Sequence, residues 1–328
     1  MKLLRIRIIV AMACATCFAA ISPSSIAQKS SPANEFITLG TIAGPYPHPE
    51  RSQPANVLVR GDDTYLIDAG DGAAGRLVTA GYSMHSLRAI FISHLHFDHI
   101  GGLPALVGLR YQTTAPEPVT IYGPPGTRQL VDAIFAFMQP FIDTGSATSG
   151  RTRDPAERDT EVVEIRDGDV LQFDGMTVTV VDNTHFGFPG IDYDRDRFQS
   201  LSFRFDLPDR SIVYTGDTGP SEAVEELARD ADILVSEMMD MDWAVANLRH
   251  ENPTMPQPVF ERVASHLRAH HLTPVQVGEM ATRANVGRVV ITHFSPGYTD
   301  PELVDGYVQQ VRTAYDGDVV IANDLDRF

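Results

Sequence analysis

Short runs of β-branched and aromatic residues alternate with stretches of helical periodicity along most of the chain. The apolar runs predict strands over residues 35–39, 56–60, 64–68, 88–92, 119–122, 162–165, 176–182, 200–206, 211–215, 232–235, 288–292 and 318–322. The amphipathic stretches predict helices over residues 72–80, 103–110, 126–138, 221–229, 256–267, 274–284 and 301–315. Neighbouring strands early in the chain, followed later by strand–helix units, favour an α/β sandwich with its sheets inside and its helices outside.

Two stretches interrupt this periodicity. Residues 143–159 are rich in Gly, Ser, Thr and charged residues, and they have no apolar repeat. Residues 186–198 combine aromatic side chains with charges and glycines. We predict both stretches as loops, because neither pattern would bury one face of a helix or a strand.

Residues 1–27 have the pattern of a secretory signal peptide. Basic residues precede an uncharged apolar stretch over 8–21, and Ser25 and Ala27 are small residues at the positions that a signal peptidase reads. We therefore predict cleavage after Ala27, a periplasmic or secreted mature chain, and a single domain over residues 28–328. No stable membrane anchor is expected, because the apolar stretch is too short to span a bilayer.

Cysteine content and charge narrow the chemistry of the mature chain. Both cysteines, Cys14 and Cys17, lie in the predicted signal peptide, so neither disulfides nor thiolate metal ligands are expected. The formal net charge of the chain is −17, and such a surface repels polyanions over most of its area. We therefore expect a small-molecule substrate and no nucleic-acid partner. The sequence is also compatible with a homodimer.

Metal-competent side chains follow four apolar strands, each at the point where the predicted strand ends. They are His94 after AIFIS, His185 after VTVVDNT, Asp217 after SIVYTG, and His293 after RVVIT. In open α/β sheets, functional groups collect beyond the carboxyl ends of the strands. We therefore expect these four side chains to converge on one site.

The sequence HLHFDH, residues 94–99, places further ligands beside the first of these histidines. His94 and His96 project to the same side of an extended backbone, so they can hold one cation. Asp98 and His99 are adjacent in sequence and point differently, so they can hold a second cation. Imidazole nitrogen suits zinc, and carboxylate oxygen can ligate or bridge it.

His271 stands apart from this motif, just before a predicted helix. Thr273, Pro274 and Gln276 form the start of that helix, with Thr273 as its N-cap in a capping box. The N-terminus of a helix attracts anions. His271 is therefore a candidate to hold or protonate an anionic group of a substrate.

Aromatic residues near these motifs are candidates for substrate binding. Phe186, Phe188 and Tyr193 follow His185 in the predicted loop, and Trp243 ends the sequence EMMDMDW. Together they could form an apolar wall over the cleft that suits an aryl or alkyl group. Packing of the loops against one another is an equally good explanation.

The motifs HLHFDHIGGLPAL, THFGFPGIDYDRDRFQSLSFRF, VYTGDTGPSEAVEELARDADILVSEM, HHLTP and VVITHFSPGY, in this order, resemble the metallo-β-lactamase superfamily. Within it, they are similar to the ribonuclease Z and arylsulfatase-like branch, and the resemblance covers nearly all of the mature chain. It implies an αββα sandwich, with two mixed sheets flanked by helices and two metal ions in the cleft. The expected cofactors are two Zn²⁺ ions, with Mn²⁺ or Fe²⁺ as alternatives.

The resemblance also assigns roles to individual residues. The implied ligands are His94, His96 and His185 for the first zinc, Asp98, His99 and His293 for the second, and Asp217 as the bridge between them. A hydroxide between the two ions would be the nucleophile, and Asp98 would also orient it. His271 matches the histidine that meets the scissile ester group in this branch. The complete ligand set argues against a non-catalytic metal-binding protein.

The choice among hydrolase subfamilies depends on where this sequence differs from the pattern of each subfamily. The strand over 200–206 is followed almost at once by the strand that ends at Asp217, so the tRNA-binding arm usual in ribonuclease Z does not fit there. This argument, with export and acidity, favours a secreted dinuclear zinc hydrolase of small organic sulfate or phosphate esters, similar to arylsulfatases. A lactonase or carboxylic-ester hydrolase stays the alternative, and a phosphodiesterase of the ribonuclease Z type is disfavoured.

Overall fold

The computed structural model describes residues 34–150, 156–187 and 191–328. Over these ranges the chain forms two mixed β-sheets that lie face to face, with helices on their outer faces. The predicted αββα sandwich is therefore confirmed. The predicted signal peptide over residues 1–27 lies outside the described residues, and so does Phe188.

The first sheet contains six strands in their order along the chain. They are β1 (Asn34–Gly40), β2 (Ala55–Arg60), β3 (Asp63–Ala69), β4 (Leu87–Phe91), β5 (Val119–Gly123) and β6 (Thr160–Glu164). The first three strands are antiparallel neighbours, and β3 to β6 run parallel. The helices of this half are α1 (Ala73–Thr79), α2 (Phe97–Ile100), α3 (Leu103–Gln112) and α4 (Thr127–Ser149).

The second sheet contains seven strands in reverse sequence order, from the last strand to the first. They are β7 (Val170–Phe173), β8 (Met176–Asp182), β9 (Leu201–Asp206), β10 (Ser211–Tyr214), β11 (Ile233–Met239), β12 (Arg288–Ser295) and β13 (Asp318–Ile321). β7 to β10 are antiparallel, and β10 to β13 are parallel. The helices of this half are α5 (Glu222–Leu227), α6 (Met241–Glu251), α7 (Gln257–His270), α8 (Pro274–Arg283) and α9 (Pro301–Arg312).

Three apolar clusters hold these layers together. Between the sheets, the ring of Phe91 packs 5.7 Å from that of Phe203 and 5.4 Å from that of Phe205. The outer face of the first sheet packs against α1, α3 and α4, and that of the second against α5, α8 and α9. Strands that are covered on both faces are continuously apolar, which explains the unbroken runs in the sequence.

Helix α4 continues beyond the end that the sequence predicts, so the loop prediction for residues 143–159 is wrong in its first half. The apolar spacing continues through Phe141, which packs 6.5 Å from the ring of Tyr111, and through Ile142. Gly150, with a φ angle of 64°, then ends the helix in the left-handed conformation. Tertiary contacts have therefore overridden the low helix propensity of a Gly- and Ser-rich stretch.

The structure also contains elements that the apolar pattern did not show. Strand β7 and helix α6 were not predicted, and the Asp240 side chain accepts a hydrogen bond from the Trp243 amide at the start of α6. Strands β11 and β12 continue past their predicted ends. The prediction stopped early because the polar residues Glu237 and His293 interrupt the apolar runs, yet both residues lie within the strands. None of the helices in the described ranges has both the length and the hydrophobicity that a membrane span requires.

Candidate metal centre

The loops at the carboxyl ends of strands in both sheets form the site. His94, His96, Asp98 and His99 follow β4, and Asp217 follows β10. The remaining two predicted ligands are His185, which follows β8, and His293, which lies within the extended β12. All seven predicted ligands are brought together here, in two groups of neighbouring side chains.

The first group consists of His94, His96 and His185, whose ligand atoms lie within 4.8 Å of one another. Nε2 of His185 lies 3.0 Å from Nδ1 of His96. Burial holds the pKa of both His94 and His185 well below the ordinary histidine value, and it lowers that of His96. Neutral imidazoles keep the nitrogen lone pair that a zinc-class ion requires.

The second group consists of Asp98, His99, Asp217 and His293. Nε2 of His293 lies 3.5 Å from Oδ2 of Asp98, and Nε2 of His99 lies 3.4 Å from the same oxygen. Burial opposes ionisation of Asp98, yet His99 and His293 hold its pKa far below the usual range. An ionised carboxylate and two imidazoles are suitable ligands for a second cation.

Asp217 lies between the two groups. Its Oδ2 atom is 3.9 Å from Nε2 of His94, 3.9 Å from Nε2 of His185 and 3.2 Å from Nε2 of His293. Its Oδ1 atom is 3.3 Å from Nε2 of His99. One carboxylate therefore reaches both groups, which is the position that a bridging ligand needs.

The buried polar atoms of this cluster fit cations better than they fit one another. Within the described ranges, Nε2 of His94, Nε2 of His99, Nε2 of His293 and Oδ1 of Asp217 are buried without a hydrogen bond. A buried polar atom without a partner costs roughly 1–3 kcal/mol. Because the ligand atoms of each group lie within 4.8 Å of one another, two metal ions would satisfy them together. The individual ligand roles stay a prediction.

Asp68 is a part of the site that the sequence did not reveal. Its Oδ2 atom lies 2.8 Å from Nδ1 of His99 and accepts hydrogen bonds from the hydroxyls of Ser93 and Tyr214 at 2.8 and 2.7 Å. Its Oδ1 atom accepts the Ser93 amide at 2.7 Å. Such a carboxylate fixes the ring and tautomer of a ligating histidine. Asp68 also has a φ angle of 58°, a strained conformation that is typical of functional sites.

His271 lies beside both groups and is paired with a buried carboxylate. Its Nδ1 atom is 2.8 Å from Oε2 and 3.0 Å from Oε1 of Glu237, and Oε1 also accepts the Thr218 amide at 2.7 Å. Burial disfavours the charged imidazole, but Glu237 outweighs it and raises the pKa of His271 above the ordinary value. Burial raises the pKa of Glu237 as well. The Nε2 atom of a protonated His271 would be a hydrogen-bond donor.

The predicted capping box next to His271 is present, because Thr273 and Gln276 exchange side-chain and backbone hydrogen bonds at the start of α8. Glu237 was missed by the sequence analysis. The only signal available was a carboxylate within the apolar strand β11. The pairing of Glu237 with His271 can be recognised only in the folded chain, where His271 lies beside β11.

Two further combinations of these side chains are close enough to hold an ion. Glu237, His271 and His293 form one, and His185, His266 and His271 form the other. His266 is not among the site residues predicted from the sequence. In the structure its ring centroid lies 5.5 Å from that of His185, and its Nδ1 atom lies 3.0 Å from the carbonyl oxygen of Gly187. His271 belongs to both combinations, and the metal content of His271→Ala tests whether it is a ligand.

The predicted aromatic wall is divided between two places. The ring of Phe186 lies 5.2 to 5.7 Å from those of His94, His96 and His185, and the Tyr193 hydroxyl donates to its carbonyl oxygen at 2.9 Å. Trp243 lines a separate groove on the side of α6. Contact of these residues with substrate stays a prediction, and Phe188 lies outside the described residues.

An αββα sandwich with two groups of His and Asp ligands that share one carboxylate defines a metal-dependent hydrolase of the metallo-β-lactamase fold. The family model described as "Beta-lactamase superfamily domain" matches residues 63–294. The chain therefore belongs to the β-lactamase superfamily. The predictions of the superfamily, of a metal-dependent hydrolase and of a dinuclear zinc-class site are confirmed.

Relatives and solved structures refine this assignment. Ribonuclease Z of Mycobacterium avium is 30% identical over 300 residues, which cover 89% of this chain and 97% of the relative. The metallo-β-lactamase fold protein YhfI from Bacillus subtilis has the same fold, with a TM-score of 0.62, 19% identity, and coverage of 90% of this chain and 98% of that one. The short form of human tRNase Z has a TM-score of 0.61, 23% identity, and the same coverage.

These relatives overturn the predicted substrate class. The expectation of a small-ester hydrolase similar to arylsulfatases, with lactones as alternative substrates and no nucleic-acid partner, is wrong, because curated relatives that match over 95% and 97% of their length are named ribonuclease Z. The connection between β9 and β10 is indeed short, but a short connection at that place does not exclude RNA. The net charge led to the wrong prediction because it is an average over the whole surface, whereas metal ions dominate the electrostatic potential within a cleft.

Proposed function

We propose that this chain is a metal-dependent phosphodiesterase that cleaves RNA. This is the activity stated in the name of its ribonuclease Z relatives. The observation that carries the proposal is one arrangement of side chains. Two ligand groups share Asp217, and His271 lies at their edge, held by Glu237. A phosphodiester needs charge neutralisation, a nucleophile and a proton for the leaving oxygen, and this arrangement offers a group for each.

The ligand groups prepare the site for an anionic substrate. When bound, two metal ions would activate a water molecule and offset the charge of the phosphate. His94, His96 and His185 are kept neutral by burial, so they contribute lone pairs and no competing charge. Asp98, which is ionised, can also accept a hydrogen bond from the attacking water and thereby orient it.

His271 supplies the proton donor. Its Nδ1 atom is engaged by Glu237, so the opposite nitrogen, Nε2, is the one that can meet a substrate oxygen. The raised pKa keeps this imidazole protonated to higher pH than an ordinary histidine. It can therefore hydrogen-bond a phosphate oxygen and pass a proton to the leaving ribose oxygen.

Two further assignments belong to the proposal. The aromatic side chains of Phe186 and Tyr193 are proposed to contact the substrate, because Phe186 lies directly against the first ligand group. Export through the signal peptide over residues 1–27 is also proposed, on the basic, apolar and small-residue pattern alone. Such an enzyme would meet RNA outside the cytoplasm.

Hydrolysis of end-labelled RNA by the zinc-loaded protein tests the proposal. We expect cleavage of structured and single-stranded RNA, loss of cleavage with a chelator, and recovery when zinc is restored. Asp217→Asn should abolish cleavage, because the shared carboxylate is lost. Asp305→Asn is the matched control, since it removes the same charge from an exposed position on α9.

Two outcomes would contradict the proposal. One is an absence of RNA cleavage by protein that contains its full complement of metal. The other is cleavage that persists unchanged in Asp217→Asn, since a contaminating nuclease would then be responsible. Bis(4-nitrophenyl) phosphate, assayed in parallel, reports whether the metal centre is competent for phosphodiester hydrolysis.

A further inference from the structure

We propose that an apolar groove beside the metal centre binds one unpaired nucleobase of the RNA substrate. This inference rests on the proposed function and specifies how the substrate is held. The groove lies between the segment over residues 42–48, helices α6 and α7, and the end of β12, and its volume is about 640 Å³. Small-molecule sites have volumes of roughly 300–1,000 Å³.

The groove adjoins the second ligand group without being lined by its side chains. Gly44, which lines it, approaches Asp98 so closely that a Cβ atom at that position would lie 2.0 Å from Oδ2 of Asp98. Ser295 also lines the groove and belongs to β12, the strand that carries His293. When the phosphate of a substrate lies at the ligand groups, the part of the substrate next to that phosphate therefore lies at the mouth of the groove.

The chemistry of the lining selects which part of the substrate enters. Tyr46, Trp243 and Tyr298 are aromatic, and most of the other lining residues are aliphatic. None of the described residues that line the groove is Lys or Arg. Flat aromatic side chains are the usual stacking partners of unpaired bases, whereas phosphates need cationic partners. The groove therefore suits a base and not a further length of backbone.

Polar side chains at the groove can form hydrogen bonds with the edge of a base. Asn247 and Glu251 lie one turn apart on α6, and His48 lies on the opposite segment. An amide, a carboxylate and an imidazole together offer donors and acceptors for the edge of a base. A base that is still paired and stacked in a helix cannot enter. The enzyme should therefore cleave beside a nucleotide that is unpaired.

Trp243 offers a direct probe, because it is the only tryptophan in the chain. Zinc-loaded protein is titrated with adenosine 5′-monophosphate and, separately, with ribose 5-phosphate, which has the phosphate but no base. We expect the nucleotide to change the fluorescence of Trp243 saturably, and ribose 5-phosphate to leave it unchanged. Equal responses, or no response to either, would overturn the assignment of the groove to a base.

Kinetics on RNA provide the second measurement. A single-stranded RNA is compared with the same RNA that carries an abasic residue beside the cleaved bond. The abasic substrate should lose roughly tenfold in kcat/KM, which is about 1.4 kcal/mol and lies within the range for loss of a stacked base. Trp243→Ala should lose a similar factor on the normal RNA and little on the abasic one. Trp243→Phe should restore most of the loss.

Two other variants make the kinetic test independent of folding defects. Tyr46→Ala alters an exposed wall of the groove and should show the same dependence on the base. Phe137→Ala removes an exposed aromatic residue of α4 that does not line the groove, and it should not change kcat/KM.

The two proposals fail separately. If normal and abasic RNA are cleaved equally and Trp243→Ala has no effect, the groove assignment is wrong while the phosphodiesterase stands. If no RNA is cleaved at all, the proposed function is wrong, and the fluorescence titration alone decides whether the groove binds a base.

Discussion

Replacement of Glu237 by Gln tests whether the buried carboxylate acts through His271. The substitution preserves the size of the side chain but removes the charge that faces Nδ1 of His271 at 2.8 Å. A hydrogen bond to a charged group contributes roughly 1.5–3 kcal/mol. At about 1.4 kcal/mol per factor of ten, we expect turnover on RNA to fall roughly 10- to 150-fold.

The pH profile gives a sharper signature than the rate alone. The proposed donor is the protonated His271, which is present below its pKa and is lost as the pH rises through it. Glu237 raises that pKa, so Glu237→Gln should move the alkaline decline of activity to lower pH. The assay is kcat against pH at saturating RNA, with metal content measured on the same samples.

A double-mutant cycle completes the test. If Glu237 acts only through His271, the double variant His271→Ala, Glu237→Gln should be no slower than His271→Ala, which itself should lose roughly 10²–10⁴-fold if His271 is a general acid. Additive losses would refute this reasoning. So would loss of a metal ion from either single variant, because Glu237 and His271 would then act as ligands.

Three further predictions concern the centre and the chain terminus. Asp217→Ala should disturb both metal sites, and elemental analysis that still finds two tightly bound ions per chain would contradict the bridging position. Asp68→Asn should weaken zinc affinity roughly 10- to 100-fold by releasing Nδ1 of His99, whereas an unchanged affinity in a zinc titration would show that this contact does not tune the ligand. Mass spectrometry of exported protein should find Gln28 as the first residue, and an intact N-terminus on exported material would contradict cleavage after Ala27.

The sequence was sufficient to predict the ligand groups. Four of the seven predicted ligands lie in one six-residue motif, His94 to His99, whose spacing has no packing explanation. The others follow apolar strands, and parallel strands bring their carboxyl ends to a common edge. The αββα sandwich was also predictable, because strands that are buried on both faces give apolar runs that stand out from the helical stretches.

Other features required the tertiary structure. Asp68 and Glu237 are single carboxylates near or within apolar strands, and each acquires a role only when a histidine from a distant segment is placed beside it. The end of α4 depends on the contact of Phe141 with Tyr111. The substrate class was mispredicted, because a dinuclear centre activates water for many leaving groups and net charge says little about the potential within the cleft.

Anomalous X-ray scattering from crystals of the zinc-loaded protein, recorded above and below the zinc absorption edge, is the most direct test of the central claim. The account predicts two peaks per chain. One should lie among His94, His96 and His185, and the other among Asp98, His99 and His293, with Asp217 in contact with both. A single peak, or a peak held by Glu237 and His271 in place of one of these groups, would contradict it.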